Sequence, residues 1–229
     1  MNLQNSLSKQ SCLRIVYSWF FIFLLISCQK SDKQPDSSAD TLILSEKIET
    51  TEIIDCRSLV KDVNFELSRE GLIEYYGKEN HDDDTLYAEG EMTGFASVLW
   101  KGSPKEIQII WQDDQMAKAI GFSINNTNSN RRLLDKFYVG MTLNELVQVN
   151  GAPVELSGFG WDYGGGCCFG DKKGLLAQIN CLSFRFDLDN VAYEQTNVDQ
   201  VLGDQIFSSE HPFFQQNKAI LMNINVYFD

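Results

Sequence analysis

Gly140-Met141-Thr142-Leu143-Asn144-Glu145-Leu146-Val147-Gln148-Val149-Asn150-Gly151-Ala152-Pro153, followed by Gly158-Phe159-Gly160-Trp161-Asp162-Tyr163-Gly164, is the stretch from which the fold is read. Thr142 can accept the amide hydrogen of Glu145 while the Glu145 carboxylate reaches back to the Thr142 amide, the chemistry of a capping box, so a helix starts here. Leu143, Leu146, Val147 and Val149 give it an apolar face, and Gly151 with Pro153 stops it, because glycine tolerates the left-handed cap and proline cannot continue the ladder. A helix of about two turns is marginal alone and must lean on another element. Phe159, Trp161 and Tyr163, alternating with Gly160 and Asp162, read as an aromatic strand beside it.

A weaker copy precedes it. Setting Gly77 against Gly151 aligns Leu67-Ser68 with Met141-Thr142 and Leu72-Ile73 with Leu146-Val147, but Gly71 stands where the box needs Glu. Strand-like runs follow at Ala96–Trp100, Ile107–Trp111 and Ala119–Ile124, separated by turns at Lys101–Pro104 and around Asp113–Asp114. His81–Asp84 reads as a solvated acidic turn and 125–130 as a polar linker. In the second half Gly164–Gly174 reads as a flexible hairpin loop, Leu182–Leu188 as a half-buried strand, and Ile220, Met222, Ile224, Val226 and Phe228 as the buried side of a last strand. The expected fold class is therefore α+β: two tandem modules of helix plus antiparallel meander, sharing or abutting sheets, at 55–130 and 131–229.

Residues 1–27 carry Lys9 and Arg14, no acid, and an apolar run that ends before Cys28. Thirteen residues are too short for a roughly 30 Å hydrocarbon core, so the run reads as an export signal. Leu25-Ile26-Ser27-Cys28 resembles a bacterial lipobox, in which Cys28 is acylated and becomes the first residue. The following segment, 28–54, begins with almost nothing apolar and reads as a disordered tether.

Removing 1–27 takes away two positive charges and moves the formal charge from −13 to −15. Such a chain repels nucleic acid, and no basic stripe with interleaved aromatics counters the field. Export permits disulfides among Cys56, Cys167, Cys168 and Cys181, with Cys168–Cys181 or Cys167–Cys181 closing a short loop. The cysteines lack C-x-x-C spacing and neighbouring histidines, so no metal or other cofactor is expected. Ser209 and His211 have no elbow motif around them, and the reading is non-catalytic.

The organising motif resembles the module of SmpA/OmlA (BamE-like) outer-membrane lipoproteins and the repeated module of the β-lactamase inhibitor protein. From Asp55-Cys56-Arg57 onward the chain is also similar to uncharacterised lipoproteins of the Bacteroidota, and Gln29-Lys30-Ser31-Asp32-Lys33 loosely resembles their surface-export tags. The likeness implies an outer-membrane lipoprotein, at the periplasmic face or the cell surface, that binds or assembles with a protein partner. An immunity- or inhibitor-type protein and an envelope hydrolase are the alternatives. Phe159, Trp161 and Tyr163 are the partner-binding candidates if they point outward, aromatics being frequent interface anchors; packed beneath the helix they would be core. Cys28→Ser should release the protein from the membrane fraction, and retention after alkaline and high-salt washing would overturn the anchor.

Overall fold

The structure is a computed structural model that describes residues 54–168 and 172–228; Cys28, the signal and nearly all of the tether lie outside them. Both expected helices form. Helix α1 is Arg69–Tyr76, capped by Ser68, whose side chain accepts from the Gly71 amide at 3.3 Å. Helix α2 is Leu143–Asn150. It carries the complete box: Thr142 Oγ1 accepts from the Glu145 amide at 3.2 Å, and the Thr142 amide donates to Glu145 Oε2 at 2.6 Å. These bonds, the one from the Thr142 amide first, hold the Glu145 carboxyl below its ordinary range. Gly151 closes α2 in the left-handed conformation at φ 72°.

The strands are β1 (His81–Ala88), β2 (Glu91–Leu99), β3 (Ile107–Trp111), β4 (Ala119–Ile124), β5 (Glu155–Ser157), β6 (Gly166–Cys167), β7 (Leu182–Leu188), β8 (Ile206–Ser208) and β9 (Ala219–Tyr227). Two short helices, α3 (Asn190–Tyr193) and α4 (Pro212–Gln216), complete the set. The strands form one antiparallel sheet in the order β1-β2-β3-β4-β9-β7-β6-β5-β8. This corrects the expectation of two helix-plus-meander modules: the chain is mostly sheet, with few helices. The first half does run as a helix and a meander. The second breaks the pattern, because β8 leaves for the far edge and β9 returns to pair with β4 on one side and β7 on the other. Without β9, β4 and β7 would each present an open row of amides and carbonyls; inserting it satisfies both.

Gly121 permits the close approach at this seam, since a Cβ there would run into the Val226 carbonyl. A single apolar core follows from the single sheet: Leu72, Trp111 and Phe122 share it with Leu146, Phe184 and Leu221. Phe65, from the segment leading into α1, stacks on Phe122 with ring centroids 5.0 Å apart.

Several local expectations shift for identifiable reasons. His81–Asp84 is the start of edge strand β1, not a turn; Arg69 grips Asp83 with two bonds of 2.6 Å and Gln108 donates to Asp84 at 2.7 Å, so the acids stand along a strand with partners. On β9 the core residues are Ala219, Leu221, Ile224 and Val226, because Arg185 faces Asn223 while Phe186 faces Leu221. The unpaired Met222 is a bulge that reverses the parity. The loop after β6 is tethered near its end by Lys172, whose ammonium donates to the Ile179, Asn180 and Leu182 carbonyls at 3.3, 3.1 and 2.7 Å.

Cys181 bonds to Cys56, not to Cys167 or Cys168, which join each other. The short-loop reasoning misled, since the fold brings the segment before α1 to the residue preceding β7 although 125 residues separate the two cysteines. On the loop-closure account a ring of that size removes about 5 kcal/mol of unfolded-chain entropy, against about 3 for the expected one.

Because both capping-box bonds are present at α2 and only the single Ser68 bond at α1, Thr142→Ala should cost about 1–2 kcal/mol and Ser68→Ala roughly half as much, read from urea unfolding. Equal losses, or a larger one for Ser68→Ala, would refute the ranking.

Candidate functional site

Phe159, Trp161 and Tyr163 do not lie on a strand. They belong to the turn between β5 and β6, whose shape is dictated by glycines: Gly165 sits at φ 70°, and a Cβ on it would run into the Phe186 carbonyl. Ser157 anchors the turn from beneath, its buried hydroxyl donating to the Tyr163 carbonyl at 2.7 Å. The Gly164 amide donates to the Trp161 carbonyl at 2.9 Å, and the Trp161 indole N–H to the Gly158 carbonyl at 2.9 Å. Backbone bonds also tie Phe159 to Val201 and Gly203, at 2.8 and 2.9 Å.

This geometry separates the three candidates. Phe159 turns inward, 1% exposed, with its ring 6.1 Å from that of Phe214. Trp161 and Tyr163 turn outward, 38% and 50% exposed, in an edge-to-face pair with centroids 5.4 Å apart. Phe159 is thus a core anchor and only its two neighbours are available to a partner.

Beside them lies a shallow hollow of about 310 Å³, bounded by Trp161, Asp162, Arg185, Asp187 and Tyr193. Arg185 and Asp187 come from the outward face of β7, where the residues alternate buried and exposed. Arg185 Nε donates to the Gly164 carbonyl at 3.2 Å and so joins β7 to the aromatic turn. Tyr193 comes from α3, placed by Asp189, whose carboxylate caps that helix by accepting from the Ala192 amide at 2.8 Å. Its hydroxyl donates to Asp187 at 2.8 Å. Burial, then the bond to Asp187 and the negative charge of that carboxylate, push the Tyr193 phenol up to about 12. It stays a donor at neutral pH.

The surface therefore offers two aromatic rings held at a fixed angle, a phenol, one guanidinium and two carboxylates. That is recognition chemistry: ring faces for apolar or cationic side chains, and acids for a positive one. Sequence reasoning missed Tyr193, Arg185 and Asp187. The alternation over Leu182–Leu188 marks the last two as outward, but nothing local indicates that the glycine turn folds back beside them.

Ser209 and His211 serve structure. Ser209 is buried and accepts from the Val154 amide at 3.0 Å, while His211 caps α4 by accepting from the Phe213 amide at 3.3 Å. Among the described residues no cluster of three or more His, Cys, Asp or Glu could hold a metal ion, and no helix is long and apolar enough to cross a membrane. A scan against protein-family models and searches of curated proteins and of solved structures match nothing to this chain.

Asp187→Asn removes the negative charge and weakens the bond that holds the proton on Tyr193. The phenol should titrate lower in that variant yet still above its ordinary value of 10.0, because burial remains. The tyrosinate absorbance lost in Tyr193→Phe isolates the group, and an unchanged titration would contradict the assignment.

Proposed function

We propose that the chain is a membrane-anchored envelope lipoprotein whose body is a non-catalytic protein-binding module, docking its partner through Trp161, Tyr163 and the adjoining Arg185–Asp187–Tyr193 hollow. The observation that carries this reading is the exposure of two large aromatics on a turn that Ser157, Gly165 and Arg185 hold in one shape. An aromatic pair already fixed loses little conformational freedom on binding, so most of its contact energy goes into affinity.

Charge narrows the partner. The hollow carries Asp162 and Asp187 against Arg185, on a chain of formal charge −13, so it favours a protein presenting basic or aromatic side chains. The same chemistry accommodates an assembly subunit of the envelope or an inhibitor that covers a basic protein. Anchoring at Cys28 rests on the lipobox resemblance, and the outer membrane, at its periplasmic face or at the cell surface, is the location that goes with it.

The test is capture of partners by the lipidated chain from its native envelope, followed by mass spectrometry, repeated with Trp161→Ala and Tyr163→Ala. Each substitution should weaken retention of the partner by about tenfold or more, the loss typical of a hot-spot aromatic. Both residues are exposed, so unfolding midpoints should move little. A partner retained equally by both variants would place the interface elsewhere.

A further inference from the structure

The segment just after Cys56 and the short hairpin around Leu134 enclose a second hollow, of about 730 Å³. It gathers Lys61, Arg131, Arg132 and Lys136 against Asp62 and Asp135, a local excess of positive charge on a chain whose formal total is −13. Asp62 is already engaged by Arg131 through two bonds of 2.8 and 3.2 Å. Burial opposes its ionisation, but the bonds and charge of Arg131 outweigh that and keep its carboxyl below the ordinary range, so this acid stays a carboxylate and cancels Arg131 alone. Lys61, Arg132 and Lys136 are left facing the single charge of Asp135.

The walls that carry these cations are firm. Arg131 also donates to the Lys105 carbonyl at 2.8 Å and lies 5.6 Å from the Trp100 ring centroid. Arg132 stacks on Tyr138 at 4.0 Å, a contact that fixes its charge in place while using none of its N–H donors. The hairpin is closed by the Leu133–Phe137 pair at 2.9 and 3.0 Å, and Leu134 and Asp135 are both left-handed at φ 54° and 55°, the geometry of a tight hairpin turn. Cations brought together from two separate segments repel one another, and an anion with several oxygens relieves that repulsion.

We propose that this hollow is a binding site for a phosphate group, with Lys61, Arg132 and Lys136 as its ligands and Arg131 as the residue that holds the two walls together. A phosphate suits it better than a carboxylate, because its larger charge matches the excess and its tetrahedral oxygens can meet three cations arriving from different directions. The group can come from a phospholipid headgroup or from a soluble phosphate ester. The headgroup is the favoured source on the anchoring at Cys28 proposed above, since the hollow's first wall, Ser58–Asp62, lies on the amino-terminal side of the described residues.

The test uses the full chain in a neutral detergent. Inorganic pyrophosphate is titrated calorimetrically at low salt, and in parallel the chain is offered vesicles of phosphatidylcholine with and without a minority of phosphatidylglycerol. Binding of either phosphate source should weaken by about tenfold or more in Lys61→Gln/Lys136→Gln and return in Lys61→Arg/Lys136→Arg, whereas Lys78→Gln/Lys118→Gln, which alters two exposed lysines elsewhere, should leave it unchanged. Greater uptake of the anionic than of the neutral vesicles, with that pattern, identifies the headgroup as the source; pyrophosphate binding with equal uptake of the two, as the proposed anchor at Cys28 alone would give, identifies a soluble ester. Failure to bind pyrophosphate together with no preference for anionic vesicles overturns the proposal, as does an equal loss in the control pair, since that would mark diffuse electrostatic attraction.

Discussion

Everything else in the fold depends on β9 finding two partners at once. Its residues pair with β4 through Gly121–Ile124 and with β7 along nearly its whole length, so the last strand of the chain becomes the middle of the sheet. Hydrogen bonding alone does not fix its place. Leu221, Ile224 and Val226 fill the core while Asn223 and Asn225 face the other way, and Asn223 accepts from the Ser123 hydroxyl at 2.9 Å across the seam. Gly121 and the Met222 bulge are the local departures that let the two ladders run together. Helix α2 depends on the same strand: the chain leading into it exchanges bonds of 2.8 Å with Leu221, which sets the cap at Thr142 over β9.

Long-range pairing of this kind explains what could and could not be read from residue order. Ile107–Trp111, Ala119–Ile124 and Leu182–Leu188 were legible because unbroken or alternating apolar runs register burial directly. Both helices were legible from their caps. The joining of the halves was not, because any two antiparallel strands with apolar faces satisfy the same pattern, and the choice of β4 as a neighbour of β9 rests on contacts about a hundred residues apart in the chain. The aromatic turn shows a second limit. Phe159, Trp161 and Tyr163 alternate as a strand would, but Gly160 and Gly165 adopt positive φ, so the backbone bends where the pattern predicted extension. Edge strand β1 shows a third: an exposed edge tolerates a run of acids that would be barred from a central strand, and solvent-facing charge there discourages pairing with other chains.

Polar groups in this core are arranged with similar economy. Trp111 donates its indole N–H to Ser97 at 2.9 Å, and His81 Nε2 lies 3.0 Å from the same hydroxyl. Ser97 is fully buried, and burial, only partly opposed by the charge of Asp83, lowers the His81 pKa, which favours the neutral imidazole, whose unprotonated Nε2 accepts the hydrogen bond of the serine hydroxyl in one of its two tautomers. Three polar side chains thereby satisfy one another inside the first half of the sheet. The acidic surface is likewise less uniform than its total implies, since its charges are sorted into paired acids along β1, a carboxylate-bearing aromatic hollow beside β7 and a cationic one near the Cys56 segment.

The Cys56–Cys181 bond has a mechanical meaning as well. Tension applied along the residues that precede Cys56 does not have to travel through the first four strands; it crosses the disulfide to Cys181, whose carbonyl accepts the Tyr227 amide at 3.0 Å where β7 and β9 meet. Five residues further along β7, the Phe186 amide grips the Gly165 carbonyl at 2.8 Å, beneath the Trp161–Tyr163 turn. A pull on the chain before Cys56 and a load on the Trp161–Tyr163 turn are therefore linked by one covalent bridge and a few residues of a central strand. Edge strand β1, the part of the sheet easiest to peel, lies outside the line of force.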